Sequence, residues 1–507
     1  MSIYLCYDIK GIQTFIFKVP KLKYIVGGSA LIDRFDKETM KLMESSSAKL
    51  IFSGGGKGTF LCKTTADADN LKEDIIDEAR AIGLDIRFGQ HEIFSQAAQH
   101  ADELYSFIPE LHDGYPCPES GLYPTKAGKK RHPLIQKRLY RSGKKVFRRF
   151  EDMLLPEIMI PGRSNEELEF FHNVDSNDSD GQAGAFALGN RNRWAVISMD
   201  GNDMGMQFRA QVKKGLSDDE MQQWIQKMSN ALDDITVTAA SAGIQRVVSE
   251  WAGSDRGKEA VIQEGIVTLP IRPLVVGGDD IVVLCHCSYA VTFVKEVIRV
   301  FEAASRNYSA LWPATNGKLT ITAGILYSSV TLPLHTAIPY SEALLGSAKG
   351  RGRKNTVKGE ASPSCIDWEQ ITDTVVDTPA AKRQREVIFF DEEIQRTVKL
   401  TQRPYTIEEF SFVENMADQY GHDRKLKLPR TVRYKIFPAL QKGYAERLAF
   451  SAEVKKNHPD LFQAINEFDI AKSSWRLNKE QDEQSIQLID ALMLLEEDSR
   501  MEKETVQ

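Results

Sequence analysis

Cysteine is scarce in this chain: six among 507 residues, at positions 6, 62, 117, 285, 287 and 365, with no Cys-x-x-Cys pair. That spacing argues against a disulfide framework and against a four-cysteine zinc ribbon. No apolar run reaches the ~18 residues that a transmembrane helix requires. The first residues, Met1-Ser2-Ile3-Tyr4-Leu5-Cys6-Tyr7-Asp8, lack the basic start and apolar stretch of a signal peptide. A soluble, cytoplasmic protein without a membrane partner is therefore expected. Charge of one sign is also lacking: 65 Lys and Arg stand against 71 Asp and Glu, a net charge of -6. Such a balance excludes a uniformly basic coat for nucleic acid, though not local basic patches. What is present is ordinary for a globular chain, with 42% hydrophobic and 27% charged residues, and the length suggests about three domains.

The punctuation of the chain repeats. Ile3 to Ile9 reads as a strand, followed by a helical stretch from about Gly11 to Met43 with a break near Gly27-Gly28. Two short strands flank Gly54-Gly55-Gly56, as in a hairpin. From Asp67 to Ile82 the residues Leu71, Ile75, Ile76, Ala79 and Ile82 recur at helical spacing, and Gly83 is placed to cap that helix. A last strand covers Leu84 to Phe88. The order is βαββαβ, a ferredoxin-like unit. It returns from Trp194 onwards: a strand to Met199, helices from about Met204 to Trp251, a hairpin turning at Gly277-Gly278-Asp279-Asp280, the helix Ala290 to Ser305, and a strand from Leu319 to Tyr327. Asp8 and Asp200 both end first strands, so the chain reads as a diverged duplication. The fold class is α+β: two ferredoxin-like (βαββαβ) units and a mainly helical C-terminal domain.

Asp200, Asp279 and Asp280 form the chemical constellation. In a ferredoxin-like sheet the first strand neighbours the third, which belongs to the hairpin. The end of the first strand then lies close to the hairpin turn. Three crowded carboxylates repel one another unless a cation sits between them. Hard oxygen ligands suit Mg²⁺ or Mn²⁺ better than Zn²⁺. Gly277 and Gly278 let the backbone turn tightly and let a phosphate approach the main chain. These are parts for nucleotidyl transfer with two ions. The competing reading is a turn that is rich in Gly and Asp for conformational reasons alone.

Here the sequence resembles a known family. Val275-Val276-Gly277-Gly278-Asp279-Asp280-Ile281-Val282 looks like the palm signature of the large polymerase-cyclase subunit of type III CRISPR effector complexes. Met199-Asp200-Gly201-Asn202-Asp203-Met204-Gly205 is similar to that family's first-strand metal motif. The segment from Tyr7 to Phe17 resembles its N-terminal motif. Ser347-Ala348-Lys349-Gly350-Arg351-Gly352-Arg353-Lys354-Asn355 is similar to the Ala-Lys…Gly-Arg-Asn segment of the wider GGDEF cyclase superfamily. The resemblance covers about Met1 to Asn355. It implies a first palm over 1–110, catalytically degenerate, a basic linker and loop over 111–190, a catalytic second palm over 191–360 and a C-terminal domain over 361–507. It also implies a nucleotidyl cyclase that joins ATP into cyclic oligoadenylates for anti-phage defence and releases pyrophosphate. Asp200, Asp279 and Asp280 would hold two Mg²⁺ or Mn²⁺ ions, with the Gly201 carbonyl as a further ligand. Lys349 would reach the triphosphate and Arg353 would assist.

The sequence departs from the family pattern in several places. Asn202 stands where an acidic residue is expected, with Asp203 beside it. Gly54-Gly55-Gly56-Lys57 replaces the carboxylates in the first palm, which is therefore read as catalytically dead. Gly54, Gly55 and Lys57 could still bind the phosphates of an acceptor nucleotide. The HD nuclease domain and the zinc-binding cysteine cluster of the family are not found. Two stretches break the acidic average: Lys126–Arg149, with eleven basic residues and no acid, and Arg424–Lys435, with six basic residues in twelve. Either could contact guide or target RNA, or serve intramolecular pairing instead. The expected partners are thus ATP, RNA and other CRISPR-like subunits, and a monomer with paired palms is the expected state. The alternatives are an RNA-binding scaffold subunit, or a synthase of a cyclic dinucleotide or an AMP conjugate.

Overall fold

In the first unit, β1 (Ile3–Ile9) carries buried side chains on both of its faces. A strand covered on both sides belongs in the middle of a sheet. It lies antiparallel between two partners of one five-stranded sheet. That sheet comprises β1, β2 (Lys49–Gly54), β3 (Lys57–Cys62), β4 (Ile86–His91) and β5 (Glu103–Tyr105), in the order β2-β3-β1-β4-β5. The helix Thr65–Ile82 begins with a capping box: Asp67 N donates to Thr64 Oγ1 at 3.1 Å, and Thr64 N donates to Asp67 Oδ2 at 3.1 Å. It ends on Gly83 at φ 82°, as its sequence leads one to expect. The computed structural model describes residues 2–19, 21–45, 48–54, 56–99, 103–107, 116–117, 125, 131–141, 149–156, 158–160, 167–171, 174, 193–254, 257, 262–263, 266–371, 377–392, 395–420, 435, 438, 444–457, 459, 483–485, 490–491 and 493–494.

One expectation fails in this unit. The helical stretch does not break at Gly27-Gly28. The helix Leu22–Ser45 runs straight through both glycines, and a shorter helix, Ile12–Phe17, precedes it. A Cβ on Gly27 would lie 1.9 Å from the Arg138 carbonyl oxygen. The glycines therefore admit the helix Pro133–Arg141 at close range rather than ending their own helix. Arg138 then donates to the carbonyls of Phe15, at 2.6 Å, and Ile16, at 3.2 Å, and its guanidinium lies 4.3 Å from the centre of the Phe15 ring.

The strand β6 (Glu167–Phe170) precedes the second unit. Its first strand is β7 (Arg193–Gly201), and β8 (Ile262–Gln263) and β9 (Ile266–Leu269) lie further along the chain. β6, β9 and β8 form a small separate sheet. The hairpin is β10 (Ile271–Gly277) and β11 (Asp280–Cys285), and the fourth strand is β12 (Ile321–Ser329). β13 (Cys365–Gln370), β14 (Ile388–Asp391), β15 (Arg396–Lys399), β16 (Tyr405–Thr406) and β17 (Glu483–Ser485) follow. The second sheet has the order β10-β11-β7-β12-β13-β16. Its first four positions repeat the ferredoxin-like arrangement of the first sheet. It then continues, with β13 parallel to β12. The helix Leu334–Lys354 makes that crossover. It lies so close to the sheet that a Cβ on Gly324 would meet the Ser341 carbonyl oxygen at 2.3 Å.

The architecture is α+β, with two units packed reciprocally. The helix Leu22–Ser45 of the first touches β10 of the second, and the helix Asp218–Gly253 of the second touches β2 of the first. Gln222 Nε2 donates to the Tyr4 hydroxyl at 2.6 Å across this contact. The described part of the C-terminal region carries the helices Pro379–Glu386, Ile407–Tyr420 and Tyr444–Asn457, and β14, β15 and β17 form a small sheet. A buried ionic network ties it to the second sheet. Arg383 pairs with Asp367 and Glu369, Arg403 pairs with Glu369 and Asp490, and Lys382 adds a further cation on Glu369.

Candidate active site

The second sheet brings the three predicted carboxylates together. Asp200 on β7 stands directly opposite Asp280 on β11. The last rung of the hairpin is Gly277 opposite Asp280, so Gly278 and Asp279 form the turn. Gly278 has φ 60°, the left-handed conformation that favours glycine at such a corner. No atom lies within 4 Å of where a Cβ would stand on Gly277 or Gly278, so the backbone there is open to a ligand. The turn folds back onto the first strand: Gly201 N donates to the Asp279 carbonyl at 3.2 Å.

Supports reach the turn from two sides. From the helix Asp218–Gly253, Asp233 Oδ1 accepts from Gly278 N at 3.0 Å, and Thr236 Oγ1 donates to the Gly278 carbonyl at 2.5 Å. From the helix Leu334–Lys354, Lys349 Nζ donates to Asp200 Oδ2, and to the Gly201 carbonyl at 2.8 Å. Ser341 Oγ, 2.7 Å from Ser198 Oγ, anchors that helix two positions before Asp200 on the same strand face. Neither Asp233 nor Thr236 carries a motif. They stand three residues apart on one helix, a spacing that shares a face, but nothing in the sequence pairs that face with the turn.

The electrostatics are those of a crowded acidic site. Burial, together with the Asp200 and Asp280 charges, pushes the Asp279 carboxyl up to about 8. Burial and the Asp200 charge push Asp280 up to about 7, against the opposing pull of Lys349. Glu342 adds to this acidity: it raises Asp280, its own carboxyl is raised by burial, and its Oε1 is buried without a hydrogen-bond partner. The sequence reading missed Glu342. It lies seven residues before Lys349, two helical turns away on the same face, which is the signal that would have found it.

The donor set fits Mg²⁺ or Mn²⁺. Two carboxylates on one rung, a third at the turn and a backbone carbonyl are hard oxygen donors, and Mg²⁺ is commonly held by one or two carboxylates with substrate phosphates completing its shell. The raised carboxyls mark a site short of positive charge. Among the described residues, no three or more His, Cys, Asp or Glu side chains converge as a ready-made cage; Lys349 instead lies against Asp200 and Gly201. Asn202 and Asp203 are engaged elsewhere. Asn202 Nδ2 donates to Thr320 Oγ1 at 2.9 Å and to Thr322 Oγ1 at 3.0 Å. Asp203 accepts from Ser362 N at 2.7 Å and Ser362 Oγ at 2.9 Å.

The remaining predicted residues are spread more widely. Arg353 is exposed, four residues beyond Lys349 on the same helix. In the first unit Gly54 stands opposite Lys57, the rung that Gly277 and Asp280 occupy in the second, and Lys57 is also opposite Asp8. Gly55 lies outside the described residues. Of the basic stretch Lys126–Arg149, residues 126–130 and 142–148 also lie outside them. Its described cations are partly taken up by the fold: Arg138 as above, and Lys137, which donates to the Ala81 carbonyl at 2.6 Å. Of Arg424–Lys435 only Lys435 is described, and it pairs with Glu453 at 3.0 Å. No helix among the described residues is long and apolar enough to cross a membrane.

Part of the chain matches a known family, and the whole is similar in fold to solved structures. Residues 193–358 match the family Cas10/Cmr2, second palm domain. No curated protein matches the chain in sequence. Solved structures match along nearly its whole length. The Csm1-Csm4 cassette in complex with cA4 is 13% identical, with a TM-score of 0.55 over 98% of this chain and 70% of that one. The Csm1-Csm4 cassette in complex with one ATP is 14% identical, with a TM-score of 0.52 over 98% and 70%. Csm1 in T. onnurineus is 13% identical, with a TM-score of 0.51 over 97% and 69%. At such identities the likeness to these structures is one of fold. With the match over 193–358, it makes the chain a Cas10-like relative of the large subunits of type III CRISPR complexes.

Proposed function

We propose that this protein is a metal-dependent nucleotidyl cyclase that converts ATP into a cyclic oligoadenylate and releases pyrophosphate. The single observation that carries the reading is the rung on which Asp200 faces Asp280, with Asp279 at the adjoining turn. Asp200, Asp279, Asp280 and the Gly201 carbonyl are the groups that would hold two Mg²⁺ or Mn²⁺ ions. When bound, the ions would activate the attacking 3′-hydroxyl and neutralise the triphosphate. Gly277 and Gly278 offer open backbone to a phosphate. Lys349 and Arg353, on one face of a helix that ends in basic residues, supply charge for the triphosphate. In the first palm, Gly54, Gly55 and Lys57 would take the phosphates of the acceptor nucleotide.

The boundaries that follow are a degenerate palm over 1–110, a linker over 111–190, a catalytic palm over 191–360 and a C-terminal domain over 361–507. The reciprocal packing of the two units supports a paired site within one chain. A cytoplasmic role in anti-phage defence, with RNA and CRISPR-like subunits as partners, follows the family likeness. The test is incubation of the protein with each NTP and Mg²⁺ or Mn²⁺, with and without RNA, followed by mass spectrometry. Cyclic adenylates with 3′–5′ bonds are expected. A dinucleotide or an AMP conjugate would replace the product assignment, and no product from any NTP under any condition would leave an RNA-binding scaffold.

A further inference from the structure

Each palm places an ammonium group against its first-strand aspartate, in two different ways. In the first, Lys57 Nζ lies 3.9 Å from Asp8 Oδ1, and the two side chains are 63% and 43% exposed. Lys57 is the cross-strand neighbour of Asp8, so the pairing is part of the sheet. In the second, Lys349 Nζ contacts Asp200 Oδ2 and the Gly201 carbonyl, and its side chain is only 16% exposed. Lys349 belongs to a separate helix and reaches the strand through a flexible four-carbon stem. The first is a loose, solvent-exposed pair between neighbours in the sheet, whereas the second is a close, largely buried contact brought from another element that side-chain rotation can release.

The two oxygens that Lys349 contacts are among those assigned above to a divalent ion. An ammonium and a metal ion cannot both sit on Asp200 Oδ2 and the Gly201 carbonyl, since the two cations repel at that range. We propose that Lys349 is a displaceable counter-cation: it occupies the Asp200 and Gly201 oxygens in the metal-free protein, and a divalent ion binding there releases its ammonium to the nucleotide's triphosphate. This inference rests on the reading of the site as metal-dependent. It makes Lys349 a positioning residue in one state and a phosphate ligand in the other. It also means that metal binds more weakly than the bare carboxylates would allow.

The test is amine acetylation of the full-length protein, read by peptide mass spectrometry, in EDTA and in saturating Mn²⁺. Calorimetry on the same preparation follows Mn²⁺ binding. Lys349 should be acetylated several-fold faster with Mn²⁺, while Lys57, already exposed, should not change. Lys349→Met should bind Mn²⁺ about tenfold more tightly, as expected for loss of a competing charge-assisted contact. The labelling experiment needs no substitution, so a folding defect in the variant does not affect it. Mn²⁺ binding to the wild type without faster labelling of Lys349 overturns the inference and leaves the metal site intact. Failure of both the wild type and Lys349→Met to bind Mn²⁺ overturns the inference and the metal-site reading together.

Discussion

Asp8 and Lys57 occupy the same rung in the first palm that Asp200 and Asp280 occupy in the second. The first rung thus pairs an aspartate with a lysine, whereas the second sets two aspartates against each other and draws a cation, Lys349, from a separate helix. The strand register is the same in both units, while Lys57 stands where Asp280 does and Gly56 where Asp279 does.

Asp280→Lys should copy the first palm's rung into the second. The substitution lies at a half-buried strand end beside Asp200, so the fold should persist. Mn²⁺ binding, read by calorimetry, should be lost. Product formation, read by mass spectrometry, should fall by roughly three orders of magnitude, the scale of a lost metal contribution to transition-state stabilisation. Retained product would remove the metal role of this rung.

The raised carboxyls set a pH dependence. Asp279 and Asp280 titrate at about 8 and about 7 in the fold, above the ~3.9 of an unfolded aspartate. Their neutral forms are favoured by folding. That stabilisation is full below about pH 4, falls progressively above it, and is gone once pH has risen through the folded values of about 7 and about 8. In EDTA the melting temperature should therefore fall from about pH 4 to about pH 8 and level off above that. Asp279→Asn with Asp280→Asn should flatten the fall, and Mg²⁺ should offset it in the wild type. A wild-type profile in EDTA as flat as that of the double variant would contradict the crowding described here.

Gly324→Ala should displace the helix that carries Lys349. A Cβ there meets backbone atoms of that helix, Ser341 O at 2.3 Å and Leu345 N at 2.4 Å, and backbone cannot rotate aside as a side chain can. A loss of about 1–3 kcal/mol in urea unfolding is expected, together with weaker nucleotide binding. Wild-type stability in this variant would mean that the helix can shift without cost.

Asp490→Ala should loosen the C-terminal region from the second palm. The Asp490 carboxylate is fully buried, accepts from Thr401 Oγ1 at 2.7 Å, Gln402 N at 2.9 Å and Tyr405 OH at 2.6 Å, and pairs with the Arg403 guanidinium at 2.9 Å. Its removal leaves the buried Arg403 guanidinium with Glu369 as its remaining carboxylate among the described residues and three donors without this acceptor, a change that costs about 3 kcal/mol. Denaturant unfolding of the full chain measures it; an effect below 1 kcal/mol would show that water replaces the carboxylate.

The sequence by itself determined the repeated βαββαβ order, because strand alternation, helical periodicity and Gly-rich turns are local signals. It also determined the trio of Asp200, Asp279 and Asp280, since a ferredoxin-like sheet brings the end of its first strand beside its hairpin. Gly83 as a helix cap was equally legible. Only the tertiary structure decided the rest, because the deciding contacts join residues far apart in the chain. Gly27 and Gly28 read as helix breakers, yet they admit Arg138 from another helix. Asp203 looked available as an acid beside Asn202, yet it is held by Ser362. Asp233, Thr236 and Glu342 enter the site from two helices that only packing sets against the hairpin. Lys349 was legible as a basic residue near phosphates, but its seat on Asp200 and Gly201 depends on how closely one helix crosses Gly324, a matter of three-dimensional packing rather than of any local pattern.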